Sequence, residues 1–106
     1  MNTISIAKDF TRFPSGRFEK NGTTSGEAFR KRFLEAPIAR GESVQVQLDG
    51  TIGYGSSFLE EAFGGLVRAL KIQADQLNRQ LTLVSADPLL LEEVRGYIKD
   101  ASESLE

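Results

Sequence analysis

Two adjacent serines, Ser56 and Ser57, close a glycine-spaced stretch, Gly50-Thr51-Ile52-Gly53-Tyr54-Gly55, that follows Asp49 and runs into an amphipathic segment beginning at Phe58. Hydroxyls at such a loop-to-helix junction can attack as nucleophiles, cap the helix, or join the glycine N–H groups in holding a phosphate. Nucleophilic attack needs a base. The chain has no His and no Cys, which removes a Ser-His-Asp triad, thiolate chemistry, disulfides and Cys/His zinc sites together. Asp49, Tyr54, Ser56 and Ser57 can cluster, but spacing ties no Lys to them. Glu60 and Glu61 are successive on a helix and point about 100° apart, so they form no acid/base pair. The expectation is a protein that is not an enzyme.

The phosphate cradle fares little better. The stretch lacks a Walker lysine and the dinucleotide-binding spacing, and it sets Glu60 and Glu61 where a bound anion is least welcome, so the glycines read as turn geometry and no cofactor is expected. Ser57-Phe58-Leu59-Glu60 matches a capping box. In that reading Ser57 is the helix N-cap, worth about 1 kcal/mol, and Ser56 is a loop hydroxyl. A second candidate surface is basic. Residues 1–40 carry a charge of +4 and residues 41–106 a charge of −6, with Arg12 and Arg17 near a turn and Arg30, Lys31 and Arg32 on a helix. These read either as a solvated helix face or as a patch for nucleic acid or an acidic partner. The net charge of −2 argues against general attraction to nucleic acid. Phe10, Phe13 and Phe18 interleave with the basic residues and fit a core better than a stacking platform.

The elements that must position these groups follow from periodicity. With 106 residues, 40% hydrophobic and 26% charged, the chain suits one domain over 1–106. The longest apolar stretch, Pro88-Leu89-Leu90-Leu91, falls far short of the roughly 20 residues of a membrane span, and no signal core opens the chain, so a cytosolic protein is expected. Thr3–Ala7 alternates as a strand, and Arg17–Lys20 alternates again after the turn at Pro14-Ser15-Gly16, which suggests an antiparallel hairpin. Thr24-Ser25-Gly26-Glu27 is a capping box opening a helix whose apolar positions are Ala28, Phe29 and Phe33, with Pro37 breaking or ending it. Ser43–Asp49 is a half-buried strand with Val44, Val46 and Leu48 on one face.

The second helix presents Leu59, Ala62, Phe63, Leu66, Val67 and Leu70 to the core and leaves Glu60, Glu61 and Arg68 for solvent; its end lies near Lys71 or further on toward Leu77. Gly64 and Gly65 suggest a close approach to a strand or a partner. Leu81–Ser85 is a strand, Asp87-Pro88 opens a third helix, and the acidic end Ser102–Glu106 is expected to fray. Strands separated by helices make an α/β fold. Strands that alternate with Gln and Ser cannot be covered on both faces. The expectation is therefore a small mixed sheet with about three helices mainly on one face, the other face partly open or covered by a partner, which permits a homodimer.

The run Ser56-Ser57-Phe58-Leu59-Glu60-Glu61-Ala62-Phe63-Gly64 behind the strand ending at Asp49, together with Ser25-Gly26-Glu27-Ala28-Phe29-Arg30, resembles the STAS-like domains of unknown function. These are relatives of the sulfate transporter and anti-sigma factor antagonist domain. The resemblance covers roughly Ile4 to Ile98. In the antagonist domains a strand ending in Asp leads to an Asp-Ser-Ser-Gly turn whose second Ser a partner kinase phosphorylates. Here Asp49 matches the strand end and Ser56-Ser57 the turn, while Gly55 and Phe58 stand where that turn has Asp and Gly, and the loop is shorter. The resemblance implies a bacterial, cytoplasmic signalling module that binds its partner through Asp49, Tyr54, Gly55, Ser56, Ser57, Phe58 and Glu61. Ser57 or Ser56 is then the phosphoacceptor. The implied partner is a histidine-kinase-type ATPase acting as a Ser/Thr kinase, or an anti-sigma-like factor.

Overall fold

The structure, a computed structural model, describes residues 2–105. In chain order it comprises β1 (Asn2–Ser5), α1 (26–39), β2 (Val44–Gln47), α2 (56–70), α3 (Ala74–Gln80), β3 (Leu81–Val84) and α4 (Pro88–Glu103). The strands form one sheet in the order β1-β2-β3, and both pairings are parallel. Ile4, Val46 and Leu83 are register partners and are all buried, whereas Thr3, Gln45 and Thr82 in the next row are exposed or half-buried. The α/β class and the single apolar sheet face are as the alternation required.

The sheet is parallel throughout rather than mixed. Residues 17–20 form no strand, because Gly16 and Arg17 turn their carbonyls to the start of α1, accepting the N–H groups of Gly26 and Glu27 at 3.0 Å each. Those two donors are orphans of the helix start, and satisfying them holds the loop on α1 instead of in a ladder. Nor does β1 reach Ala7. Ser5 Oγ accepts the Lys8 N–H and Asp9 Oδ2 accepts the Ser5 N–H, which closes a π-helical turn over Ile6–Phe10.

The N-cap of α1 is Ser25, not Thr24: its Oγ accepts the Ala28 N–H at 3.1 Å. Glu27 instead accepts the Glu19 N–H, and that bond pulls its carboxyl below the ordinary range. The helix also passes through Pro37. A π-helical turn over Arg30–Leu34 precedes it, and the i→i+5 bond from the Glu35 N–H to the Arg30 carbonyl offsets the register by one residue, which relieves the clash a proline ring makes with an α-helical carbonyl one turn back. The helix ends two residues after Pro37 in a Schellman pair, with the Glu42 N–H on the Pro37 carbonyl and the Gly41 N–H on that of Ile38.

Helix α2 stops at Leu70, where Lys71 adopts a left-handed φ of 52°, and α3 starts afresh at Ala74. Asp87 caps α4 as expected, accepting the Leu89 and Leu90 N–H groups behind Pro88. The end of α4 does not fray at Ser102. That side chain is buried, accepts the Ala74 N–H and donates to Gln73 Oε1, tying α4 to the start of α3; Glu106 lies outside the described residues. In the core, Phe29 has four aromatic neighbours, Phe10, Phe33, Phe58 and Phe63, with ring centroids 5.4–6.3 Å away. Phe13 and Phe18 remain exposed, against the core placement expected for them.

Candidate functional site

Parallel strands end together at one edge of the sheet, and the β2–α2 loop emerges there beside the β3–α4 loop. Asp49 joins the two. Its Oδ1 accepts the Ser85 hydroxyl at 2.6 Å and its Oδ2 the Ala86 N–H at 2.7 Å, and these bonds, the hydroxyl first, hold its carboxyl below the ordinary value. Asp49 is thus a clamp that stays anionic at neutral pH. Further along, the Ile52 N–H donates to the Arg12 carbonyl, and the Tyr54 hydroxyl donates to the Leu48 carbonyl. The Tyr54 ring lies 5.9 Å from that of Phe58, and burial pushes its phenol up to about 12. Despite its glycines, the loop is pinned at three points.

Gly55 is the N-cap of α2, with extended backbone at φ −77° and ψ 144° and no side-chain cap. The capping box expected at Ser57 is therefore not made. Ser57 already has helical neighbours on both sides, so its oxygen cannot stand ahead of the first turn, and a glycine cap costs only a few tenths of a kcal/mol. Ser56 and Ser57 are exposed, and among the described residues neither hydroxyl has a hydrogen-bond partner. Gly55 is exposed beside them, Tyr54 is half-buried, Phe58 is sealed in the core and Glu61 is buried. Of the residues assigned to partner contact, the fold brings Gly55, Ser56, Ser57 and the edge of Tyr54 to the surface. It withdraws Phe58 and Glu61, and it commits both Asp49 oxygens to the chain itself.

Glu60 and Glu61, expected in solvent, instead anchor a charge cluster between α1 and α2. Arg30, 6% exposed, donates from Nη1 to both the carboxylate and the carbonyl of Glu61, itself 8% exposed, and from Nε to Glu35 at 2.7 Å. Arg17 bridges Glu60 and Glu61, and Arg68 forks onto Glu60 at 2.7 and 3.0 Å. Arg68, ahead of Arg17, holds the Glu60 carboxyl below its ordinary value. A Cβ on Gly65 would stand 2.4 Å from Arg30 Nη1, so that glycine makes room for the guanidinium rather than for a strand or a partner. Most of the basic patch is engaged within the chain. Arg17 and Arg30 are paired here, Lys31 pairs with Glu19 and Glu27, and Arg32 lies over the rings of Phe10 and Phe33. Among the described residues Arg12 alone of the five is exposed with neither an ion pair nor a ring contact.

The edge also carries a groove of about 360 Å³, lined by Asp49, Thr51, Tyr54, Asp87, Leu89 and Glu93 among others. Sequence reasoning passed over Leu89 and Glu93, although an apolar residue directly behind an Asp-Pro cap sits in a first helical turn where burial is poor. Among the described residues no helix is long and apolar enough to cross a membrane. No curated protein and no solved structure matches the chain. The family described as STAS-like domain of unknown function (DUF4325) matches residues 25–89, a span that takes in α1, β2, the pinned loop, the serine pair and the cap of α4. On that match, which covers more than half of its length, the chain belongs to the STAS-like domain family.

Proposed function

We propose that this domain is a non-catalytic protein-interaction module, docking a regulatory partner on the surface formed by the Gly50–Gly55 loop and the first turn of α2, with Ser57 or Ser56 as a phosphoacceptor. One observation carries the reading. Two neighbouring hydroxyls stand exposed and unpartnered, among the described residues, at the start of a helix whose preceding loop is fixed by Asp49 and Tyr54. A helix cap would have explained Ser57, and Gly55 holds that position. Free first-turn N–H groups and the helix dipole favour a phosphate there, and its charge of about −1.5 to −2 would alter whatever docks beside it. The reading is non-catalytic because a chain without His or Cys offers the serines no ordinary base at neutral pH. By resemblance to the antagonist domains, the partner is a kinase of the histidine-kinase ATPase type or an anti-sigma-like factor.

The test is mass spectrometry of the protein isolated from its host with its bound partner, combined with capture by Ser57→Glu and Tyr54→Ala. The expected result is phosphate on Ser57 or Ser56 and altered capture by both variants at unchanged cooperativity of unfolding. Absence of phosphate together with unaltered capture would refute the reading.

A further inference from the structure

Four large apolar side chains are exposed among the described residues, and three of them surround one loop: Phe13 at 61%, Ile52 at 70% and Leu89 at 74%. Single exposed apolar residues are ordinary on any protein, but convergence on a concave surface is the mark of a contact site. Phe13, Pro14 and Ile52 line a shallow apolar groove with Gly53 and Tyr54, and the same Gly53 and Tyr54 line the neighbouring groove that holds Leu89. Tyr54 is therefore the ridge of one continuous surface. Its second half carries three carboxylates, Asp49, Asp87 and Glu93, and no Lys or Arg contributes to its lining. None of the three is in a salt bridge among the described residues. Asp49 and Asp87 spend oxygens on N–H and O–H donors, and Glu93 accepts the Tyr97 hydroxyl. Such bonds orient the carboxylates without cancelling their charge.

We infer that this surface takes a segment of a protein partner in which an apolar side chain is flanked by Lys or Arg. The inference rests on the interaction-module reading and gives the chemistry of the partner. The apolar side chain would settle along the Tyr54 ridge against Phe13, Ile52 and Leu89, where it removes exposed hydrophobic surface from water. The flanking cations would face Asp49 and Glu93, charges that repel a polyanion and so exclude nucleic acid from the same place. Position supports the assignment, since crevices at the carboxyl ends of parallel strands are the customary binding places of α/β sheets.

The probe is a blocked pentapeptide Arg-Leu-Lys-Phe-Arg, titrated into the whole domain and followed by amide NMR at low salt, beside Glu-Leu-Glu-Phe-Glu and Arg-Ser-Lys-Ser-Arg. Shifts confined to Phe13–Ser15, Gly50–Tyr54 and Leu89–Glu93 are expected for the basic apolar peptide alone. Leu89→Ser with Ile52→Ser should weaken it about tenfold, as burial of one large apolar side chain implies. Glu93→Gln should weaken it about two- to fivefold, as exposed ion pairs do. All three positions are exposed, so the variants fold. Equal binding of the acidic peptide, indifference to the double serine variant, or shifts that track self-association in sedimentation would each overturn the inference. If Ser57→Glu alters partner capture while these variants leave it unchanged, the partner chemistry is wrong and the module reading stands.

Discussion

Replacing Arg30 by Met removes a guanidinium that is 6% exposed and leaves Glu61, 8% exposed, short of its nearest counter-charge. Breaking one side of a buried ion pair costs about 3–5 kcal/mol, because the surviving charge stays desolvated. Arg17 and Arg68 remain 3.5 and 3.7 Å from Glu61 Oε1 and offset part of that loss, which puts Arg30→Met near the lower end, about 3 kcal/mol. A domain of this size has roughly 5–15 kcal/mol in total. With a urea slope of about 1–3 kcal/mol per molar, the midpoint should fall by about 1–3 M. The double variant Arg30→Met with Glu61→Met leaves neither member of the buried pair charged, and Glu35, which also loses Arg30, is exposed enough to be hydrated, so it should recover most of the loss, giving a coupling of at least about 2 kcal/mol. Equilibrium urea unfolding of the four proteins measures it. A coupling within about 0.5 kcal/mol of zero, the range of independent sites, would refute the view that the two side chains act as one buried unit.

Two further outcomes test the site. Ser25→Ala should cost about 1 kcal/mol, since its oxygen caps α1, whereas Ser57→Ala should stay within about 0.5 kcal/mol, since Gly55 caps α2; thermal unfolding that reverses this order would show that α2 starts elsewhere. Asp49 is held below its ordinary 3.8 by the Ser85 hydroxyl and the Ala86 N–H, so its charged form stabilises the fold above that pH and the contribution is lost as pH falls through the lower folded value. Asp49→Asn should accordingly unfold at lower urea than the native protein at pH 7, with the gap closing in acid below 3.8; a gap that does not change with pH would rule out the clamp.

Much of the fold is legible in local pattern. Val44, Val46 and Leu48 alternate with Gln, so strand identity and the one-sided burial of the sheet both follow from period-two spacing, and Asp87-Pro88 announces α4 because cap and ring act within one turn. Some failures are local, such as Gly55 rather than Ser57 capping α2, but the larger ones are contacts between distant segments. Whether Thr24 or Ser25 caps α1 depends on where the carbonyls of Gly16 and Arg17 arrive. Passage through Pro37 depends on the π-helical turn ahead of it, in a helix that crosses α2. Gly26 shows that crossing most directly: a Cβ there would stand 2.3 Å from the Phe58 carbonyl oxygen, so the backbones of the two helices touch. Within the site, exposure of the serine pair was readable from polarity, but the withdrawal of Glu61 was not. A glutamate beside an amphipathic stripe is solvated unless another segment delivers an arginine, and Arg30 is 31 residues away.

This scaffold fixes how a charge at Ser57 can act. Glu60 and Glu61, one turn further along α2, are already engaged by Arg17, Arg30 and Arg68, so a phosphate at Ser57 meets carboxylates whose charge is largely answered. Its effect falls on the surface instead, where Tyr54, three residues back, borders a groove holding three unanswered carboxylates. Adding about −2 to that side repels an acidic partner and attracts a basic one. The sign of the response to Ser57→Glu therefore reports the charge of what docks. Stronger capture goes with the Lys- or Arg-flanked segment inferred above, and expulsion goes with a partner whose contact face is acidic. Because the serines lie outside the core and Gly55 performs the capping, either response should occur without a loss of stability, which separates a shift in binding from a loss of fold.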